Sequence, residues 1–227
     1  MNAPLAPFTL LIATRNAHKV GEIRAVLGEG FRYLTLNEFP GAPAVIEDAG
    51  TFAGNATKKA VELARWLTGT RSAKHETRNE QVFVLADDSG LEVDALDGAP
   101  GVRSARFAAL ESGKVGNSSD PDNNARLLRL LTGVPFGKRT ARFRCVLALT
   151  AVSNESPTQT ELFEGTCEGG IEFEPRGDNG FGYDPLFVPE GHQQTFAELG
   201  EETKNQLSHR AKALAKLKVR LDSPANG

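Results

Sequence analysis

The apolar run VFVLA (82–86) ends in Asp87-Asp88-Ser89-Gly90, which sets two carboxylates side by side behind a stretch that reads as a buried strand. Strand ends are where α/β proteins gather ligands. Adjacent anions in a partly buried turn repel unless a cation or hydrogen bonds hold them, so a hard divalent metal is their natural partner. An Asx-turn with both acids hydrated is the alternative. Glu47 and Asp48 form a second acidic pair in the loop GAPAVIEDAG, either converging on the first or simply solvated. Near the start, Thr14-Arg15-Asn16-Ala17-His18-Lys19 follows another apolar run and opens a helical pattern. Helix starts present unpaired N–H groups and positive potential, which suit phosphate; Thr14 and Asn16 add hydrogen bonds and Lys19 adds charge. A Thr or Asn cap beside a solvated lysine would use the same residues.

Phe181-Gly182-Tyr183-Asp184-Pro185 follows the loop GDNG. Two aromatics around a glycine offer a flat face for a base, and Asp184 an acceptor for its edge, unless the rings are core packing at a turn. Lys204, Ser208, His209 and Arg210 fall at the start of the last helical pattern, roughly 203–221. Cations there oppose the helix dipole and call for an anion, or are ordinary charged surface. GVPFGKRT (133–140) is not a phosphate loop: it is one residue short, lacks Ser or Thr after the lysine and precedes a strand.

The elements that carry these residues read as α/β. FTLLIA (8–13), a helix bearing Val20, Ile23, Val26 and Leu27, and FRYLTL (31–36) make a β-α-β start. A helix over 51–67 lines Phe52, Ala56, Ala60, Leu63 and Leu67 on one face and closes at Trp66. Residues 68–81 are polar and aperiodic and read as an exposed loop. A short helix at 121–133 takes Asp120 or Asp122 as N-cap and Gly133 as C-cap. TARFRCVLALTAV and TELFEGTCEGGIEF read as a hairpin across SNESPTQ, and the last helix buries Leu207, Ala211, Leu214, Leu217 and Leu221. The 227 residues suffice for a sizeable core, and 26 Lys+Arg against 29 Asp+Glu give a net charge of −3. That lacks the broad positive field of a duplex-binding protein, so no nucleic-acid partner is expected. Two cysteines, Cys145 and Cys167, read as buried thiols in a reducing compartment, with cytoplasm the default, and the opening sequence holds no signal or membrane segment.

Six segments in order, ATRNAHKVGEI (13–23), EDAGTFAGNATKKA (47–60), ADDSGLEVDALDGAPGVRSARFA (86–108), ARFRCVLAL (141–149), FGYDPLF (181–187) and KNQLSHRAKAL (204–214), resemble the Ham1/RdgB family of inosine triphosphate pyrophosphatases. The resemblance covers nearly the whole chain. It implies one α/β domain over 1–227, with an elongated mixed sheet, flanking helices and two lobes around a nucleotide cleft. It further implies a homodimer and Mg²⁺-dependent hydrolysis of ITP, dITP and XTP to the monophosphate and pyrophosphate. A broader nucleotide pyrophosphatase, acting on pyrimidine or modified nucleotides, is the alternative. By the same resemblance Thr14 to Lys19 grip phosphate, Asp88 is the essential acid and Glu47 joins it on the metal. Lys59 flanks the cleft and Ser89 touches substrate. Phe181 to Asp184 bind the base, while Lys204, His209 and Arg210 read the purine 6-oxo edge and the phosphates. Whether Asp88 binds metal, takes a proton or does both stays open. Arg15 stands where the family often has glycine, Asp48 where it has a small or hydroxyl residue and Gly54 where it has glutamate; the 68–81 loop is longer than typical.

Overall fold

Thr9, Leu10, Leu11 and Ile12 carry no charge and all four side chains are buried, which makes strand β1 (Thr9–Ile12) the centre of a parallel group. The structure is a computed structural model that describes residues 8–71, 81–113, 116–153 and 159–223. β1 has parallel partners on both sides: β2 (Arg32–Thr35), with Leu10 beside Tyr33, and β3 (Val82–Val93), with Leu10 beside Phe83. Helix α1 (Ala17–Leu27) joins β1 to β2, and α2 (Phe52–Arg71) lies between β2 and β3. Parallel crossovers are right-handed, so connections that run first to one side of β1 and then back across it place α1 and α2 on opposite faces of these strands. Next come α3 (Ala109–Ser112), α4 (Asp120–Leu130), β4 (Thr140–Ala151), β5 (Thr160–Ile171), β6 (Phe187–Pro189), α5 (Phe196–Leu207) and α6 (His209–Asp222). The strand order is β2-β1-β3-β4-β5-β6, and β5 pairs antiparallel with β6, so the sheet is mixed and flanked by helices as expected.

The chain divides into two compact units. One holds the described residues up to Asp88, from Val146 to Phe163 and from Leu214 onward; the other holds Ser89–Cys145 and Glu164–Ala213. In the first, the predicted α2 stripe of Phe52, Ala56, Ala60, Leu63 and Leu67 is buried, with Leu10, Leu11, Ile12, Ile23 and Leu27. In the second, Leu91, Phe107, Leu127, Phe143, Ile171, Leu186, Phe187 and Phe196 belong to one apolar cluster, in which the Phe143 and Phe187 rings lie 4.7 Å apart.

Four expectations about elements need correction. Helix α2 does not close at Trp66 but runs to Arg71, so the predicted loop loses residues 68–71, and 72–80 lie outside the described residues. Asp87 to Gly90 are not a loop; β3 carries them and continues to Val93. The N-cap of α4 is Ser119, whose hydroxyl accepts from Asp122 N–H at 3.2 Å, and the helix stops at Leu130, before Gly133. The single last helix is two: Ser208 has extended backbone, ends α5 and caps α6 through Ala211 N–H at 3.1 Å. Lys204 therefore sits in the last turn of α5, where a cation suits the dipole. The turn expected across 153–159 falls largely on 154–158, outside the described residues.

Candidate active site

β1 ends at Ile12, level with Leu85, and Ala13 N–H still bonds Leu85 O at 2.8 Å, whereas β3 runs on. Asp87 and Asp88 thus lie just past the carboxyl end of β1, where the connections leave in opposite directions, the place where open parallel sheets take ligands. Neighbours on a strand point to opposite faces. Asp87 forms an ion pair with Lys19 of α1, and Asp88 Oδ2 accepts from Asn55 Nδ2 of α2 at 3.0 Å. The pleat separates the two carboxylates, so no cation between them is needed; each finds its own partner on its own side.

Asp88 is 6% exposed. Burial, and after it the nearby charge of Glu47, push its carboxyl from the ordinary 3.8 up to about 6, against the pull of the Asn55 hydrogen bond, Lys59 and Lys19. Lys59 Nζ contacts Glu47 Oε1 at 2.5 Å and donates to Asp87 O at 3.1 Å, tying the 41–50 loop to β3. Asp48 turns outward to Lys58 and stays solvated. Among the described residues no group of three or more His, Cys, Asp or Glu is placed to hold a metal. Glu47 and Asp88 nevertheless fit Mg²⁺, which takes one or two carboxylates and completes its shell with water and substrate phosphate. A carboxyl held up by burial beside a second acid is one that a dication would relieve.

The phosphate-loop residues serve first as a cap. Thr14 Oγ1 accepts from Asn16 N–H at 3.1 Å, and Asn16 Oδ1 from His18 N–H at 2.9 Å and Lys19 N–H at 3.3 Å. Lys19 is not a solvated lysine, because its ammonium is held by Asp87. Arg15, Ala17 and His18 are exposed.

In the second unit, Arg210 Nη2 donates to Ser89 Oγ at 2.7 Å, and the His209 ring stacks on Phe143 with centroids 4.8 Å apart and 12° between planes. Tyr183 does not share a flat face with Phe181: it is buried, its hydroxyl donates to Ser104 O at 3.0 Å, and burial pushes its pKa well up. Asp184 is buried too, and its Oδ2 accepts from Phe181 N–H at 2.9 Å and from Lys204 Nζ at 2.6 Å. Its Oδ2 is engaged by protein groups. Lys204 Nζ lies 4.2 Å from the centre of the half-buried Phe181 ring.

The Ham1 family model matches residues 10–220. The chain belongs to the Ham1 family. It is 49% identical over 208 residues to the dITP/XTP pyrophosphatase of Desulforamulus reducens, covering 91% of this chain and 92% of that one. It is 45% identical over 213 residues to the dITP/XTP pyrophosphatase of Shouchella clausii, covering 94% and 96%. Among solved structures it resembles a HAM1 protein from Coxiella burnetii, with TM-score 0.75, 35% identity and coverage of 94% and 98%.

Sequence reasoning missed Asn55 in this Ham1 chain. It lies on the buried face of α2 with no exposed surface, receives Ala49 N–H at 2.9 Å and donates to Asp88. Its signal was present: a polar side chain within an apolar stripe must find partners. Asp120 and Asn124 were missed as well. Asp120 Oδ2 accepts from Gly182 N–H at 2.7 Å, and Asn124 Nδ2 donates to Gly182 O at 3.1 Å.

Proposed function

We propose that this Ham1-family chain is a dITP/XTP pyrophosphatase that hydrolyses ITP, dITP and XTP between the α- and β-phosphoryl groups and so clears deaminated purines from the nucleotide pool. The observation that carries the reading is Asp88: a buried acid beside Glu47, with Lys19 and Lys59 in the same unit, just past the carboxyl end of β1. The names of its relatives supply the substrate class.

Glu47 and Asp88 would hold Mg²⁺, which when bound neutralises phosphate charge and polarises the phosphoryl group. Asp88 is also the acceptor for the proton of an attacking water; the value of about 6 belongs to its metal-free carboxyl, and bound Mg²⁺ would lower it. Lys19 and Lys59 supply charge toward the leaving pyrophosphate, and Thr14 and Asn16 hydrogen bond its oxygens. Phe181 stacks on the base. The N–H groups of Phe181 and Gly182 are taken by Asp184 and Asp120, so donation to the 6-oxo edge falls to Lys204, His209 and Arg210. Adenine offers an amino group there and leaves such a donor unpaired, at a cost of about 1–3 kcal/mol per contact. Guanine keeps the 6-oxo group and is rejected at position 2, whose surroundings tolerate the 2-oxo acceptor of xanthine and refuse an amino donor; Asp184, a carboxylate that would welcome such a donor, is bound to Lys204 and lies away from that edge. The active species is a homodimer in the cytoplasm.

The deciding experiment is a nucleotide panel with Mg²⁺, assayed for pyrophosphate against orthophosphate. The expected result is pyrophosphate as first product, with kcat/KM for ITP and XTP above that for ATP and GTP by at least about two orders of magnitude, the size of two unmade contacts. Orthophosphate as first product, or equal rates on ITP and ATP, would overturn the reading.

A further inference from the structure

Gly182 sits at φ +64°, and α4 grips it from both sides. Asp120 Oδ2 takes its N–H and Asn124 Nδ2 gives to its C=O, from positions four apart and so on one face of the helix. Asp120 is available for this because Ser119, one residue earlier, serves as the cap and engages Asp122 through its hydroxyl at 2.6 Å. Beyond Gly182 the chain closes on itself: Asp184 Oδ2 holds Phe181 N–H and Lys204 Nζ, and Lys204 Nζ lies over the Phe181 ring. Gly180 leaves no room for a Cβ, which would meet the Asp184 carboxylate. The two hydrogen bonds from α4 therefore help to fix the aromatic plane of Phe181 and the ammonium beside it, alongside the Tyr183 hydroxyl, which donates to Ser104 O.

We propose that Asp120 and Asn124 are positioning residues for base recognition, which set the Phe181 ring and Lys204 through Gly182 without touching the nucleotide. The proposal rests on the reading that Phe181 and Lys204 face the purine. Its geometry is independent of that reading, since the two hydrogen bonds bracket a single residue, Gly182, next to Phe181.

The test compares Asp120→Ala, Asp120→Asn and Phe181→Ala in the full chain, measuring kcat and KM for ITP and following thermal unfolding. Asp120 is exposed, so its variants fold. Asp120→Ala should raise KM about 5- to 30-fold, as expected for losing one charge-assisted hydrogen bond, with kcat within about 3-fold. Asp120→Asn keeps an acceptor for Gly182 N–H and should recover most of the wild-type KM, a rescue that a merely structural role at the helix start would not require. If Phe181→Ala raises KM while Asp120→Ala does not, the positioning role is wrong and the base site stands. The role is also wrong if Asp120→Asn is as poor as Asp120→Ala. If Phe181→Ala leaves KM unchanged, the base-site reading fails and takes the positioning role with it.

Discussion

Asp88 is kept buried and ionised against its own preference, and that has a consequence separable from catalysis. Its folded carboxyl lies above the ordinary value, so the folded state holds the proton more tightly than the unfolded one, and stability falls as pH rises through about 4 to 6. Moving a carboxyl from 3.8 to about 6 corresponds to roughly 3 kcal/mol at neutral pH. Asp88→Asn removes that penalty and keeps an acceptor for Asn55, so in metal-free buffer at pH 8 it should be more stable than wild type by about 1–3 kcal/mol, while turnover nearly vanishes. The gap should close below about pH 4. Urea unfolding at several pH values together with a pyrophosphate assay checks both halves; activity within a few-fold of wild type would reject Asp88 as the essential acid. Asp87 makes the opposite case, because Lys19→Met removes the ammonium paired with a buried carboxylate and should cost about 1–3 kcal/mol. Adding Asp87→Asn should restore stability and leave activity low, which thermal melts of single and double variants would show. The acids themselves were legible in the sequence; their separation was not, since it depends on Asp87 and Asp88 lying within a strand where a loop was expected.

At the scale of elements, the sequence pattern found β1 to β5, α1, α2, α4 and α6 because burial follows the period, with the α2 stripe and the α6 set of Ala211, Leu214, Leu217 and Leu221 buried as expected, but not the short α3 and β6 or the start of α5. It failed at junctions, where one hydrogen bond decides. Ser208 continues the leucine pattern without interruption, so periodicity could not reveal a break made by its own extended backbone. A close approach fixes the start of α6. A Cβ on Gly165 of β5 would meet His209 O and lie 2.6 Å from Ala213 N, both backbone atoms that cannot give locally. Gly165→Ala should therefore shift the first turn of α6, lower stability by about 1–3 kcal/mol and reduce kcat/KM for ITP by displacing His209 and Arg210. Gly170→Ala in the same strand is the control: its Cβ would stand 3.5 Å from Arg139 O, an ordinary contact, and stability should change by less than about 1 kcal/mol. Equal effects from the two substitutions would show that strand glycine content, and not the α6 contact, matters.

For the molecule as a whole, composition excluded more than it identified. A net charge of −3 and two cysteines argue against duplex binding and a disulfide scaffold, and among the described residues no helix is long and apolar enough to cross a membrane. The family was legible because six short segments recur in order across nearly the whole chain, while the oligomeric state was not, since it leaves no pattern in spacing. The thiols report on the integrity of the second unit. Cys145 has no exposed surface, Cys167 is 4% exposed within the apolar cluster, and burial pushes the Cys167 thiol up to about 11. Only the thiolate attacks an alkylating reagent, and at pH 8 a thiol at about 11 is ionised to about one part in a thousand. Modification of either cysteine must therefore await an opening of the unit, and its rate should fall at least about 10³-fold below that of the urea-unfolded chain. Mass spectrometry of iodoacetamide-treated native protein should find neither cysteine labelled on the time in which the unfolded chain is labelled at both. Rapid labelling of Cys167 alone, with the circular dichroism still native, would mean that the β5 end of the cluster opens without global unfolding.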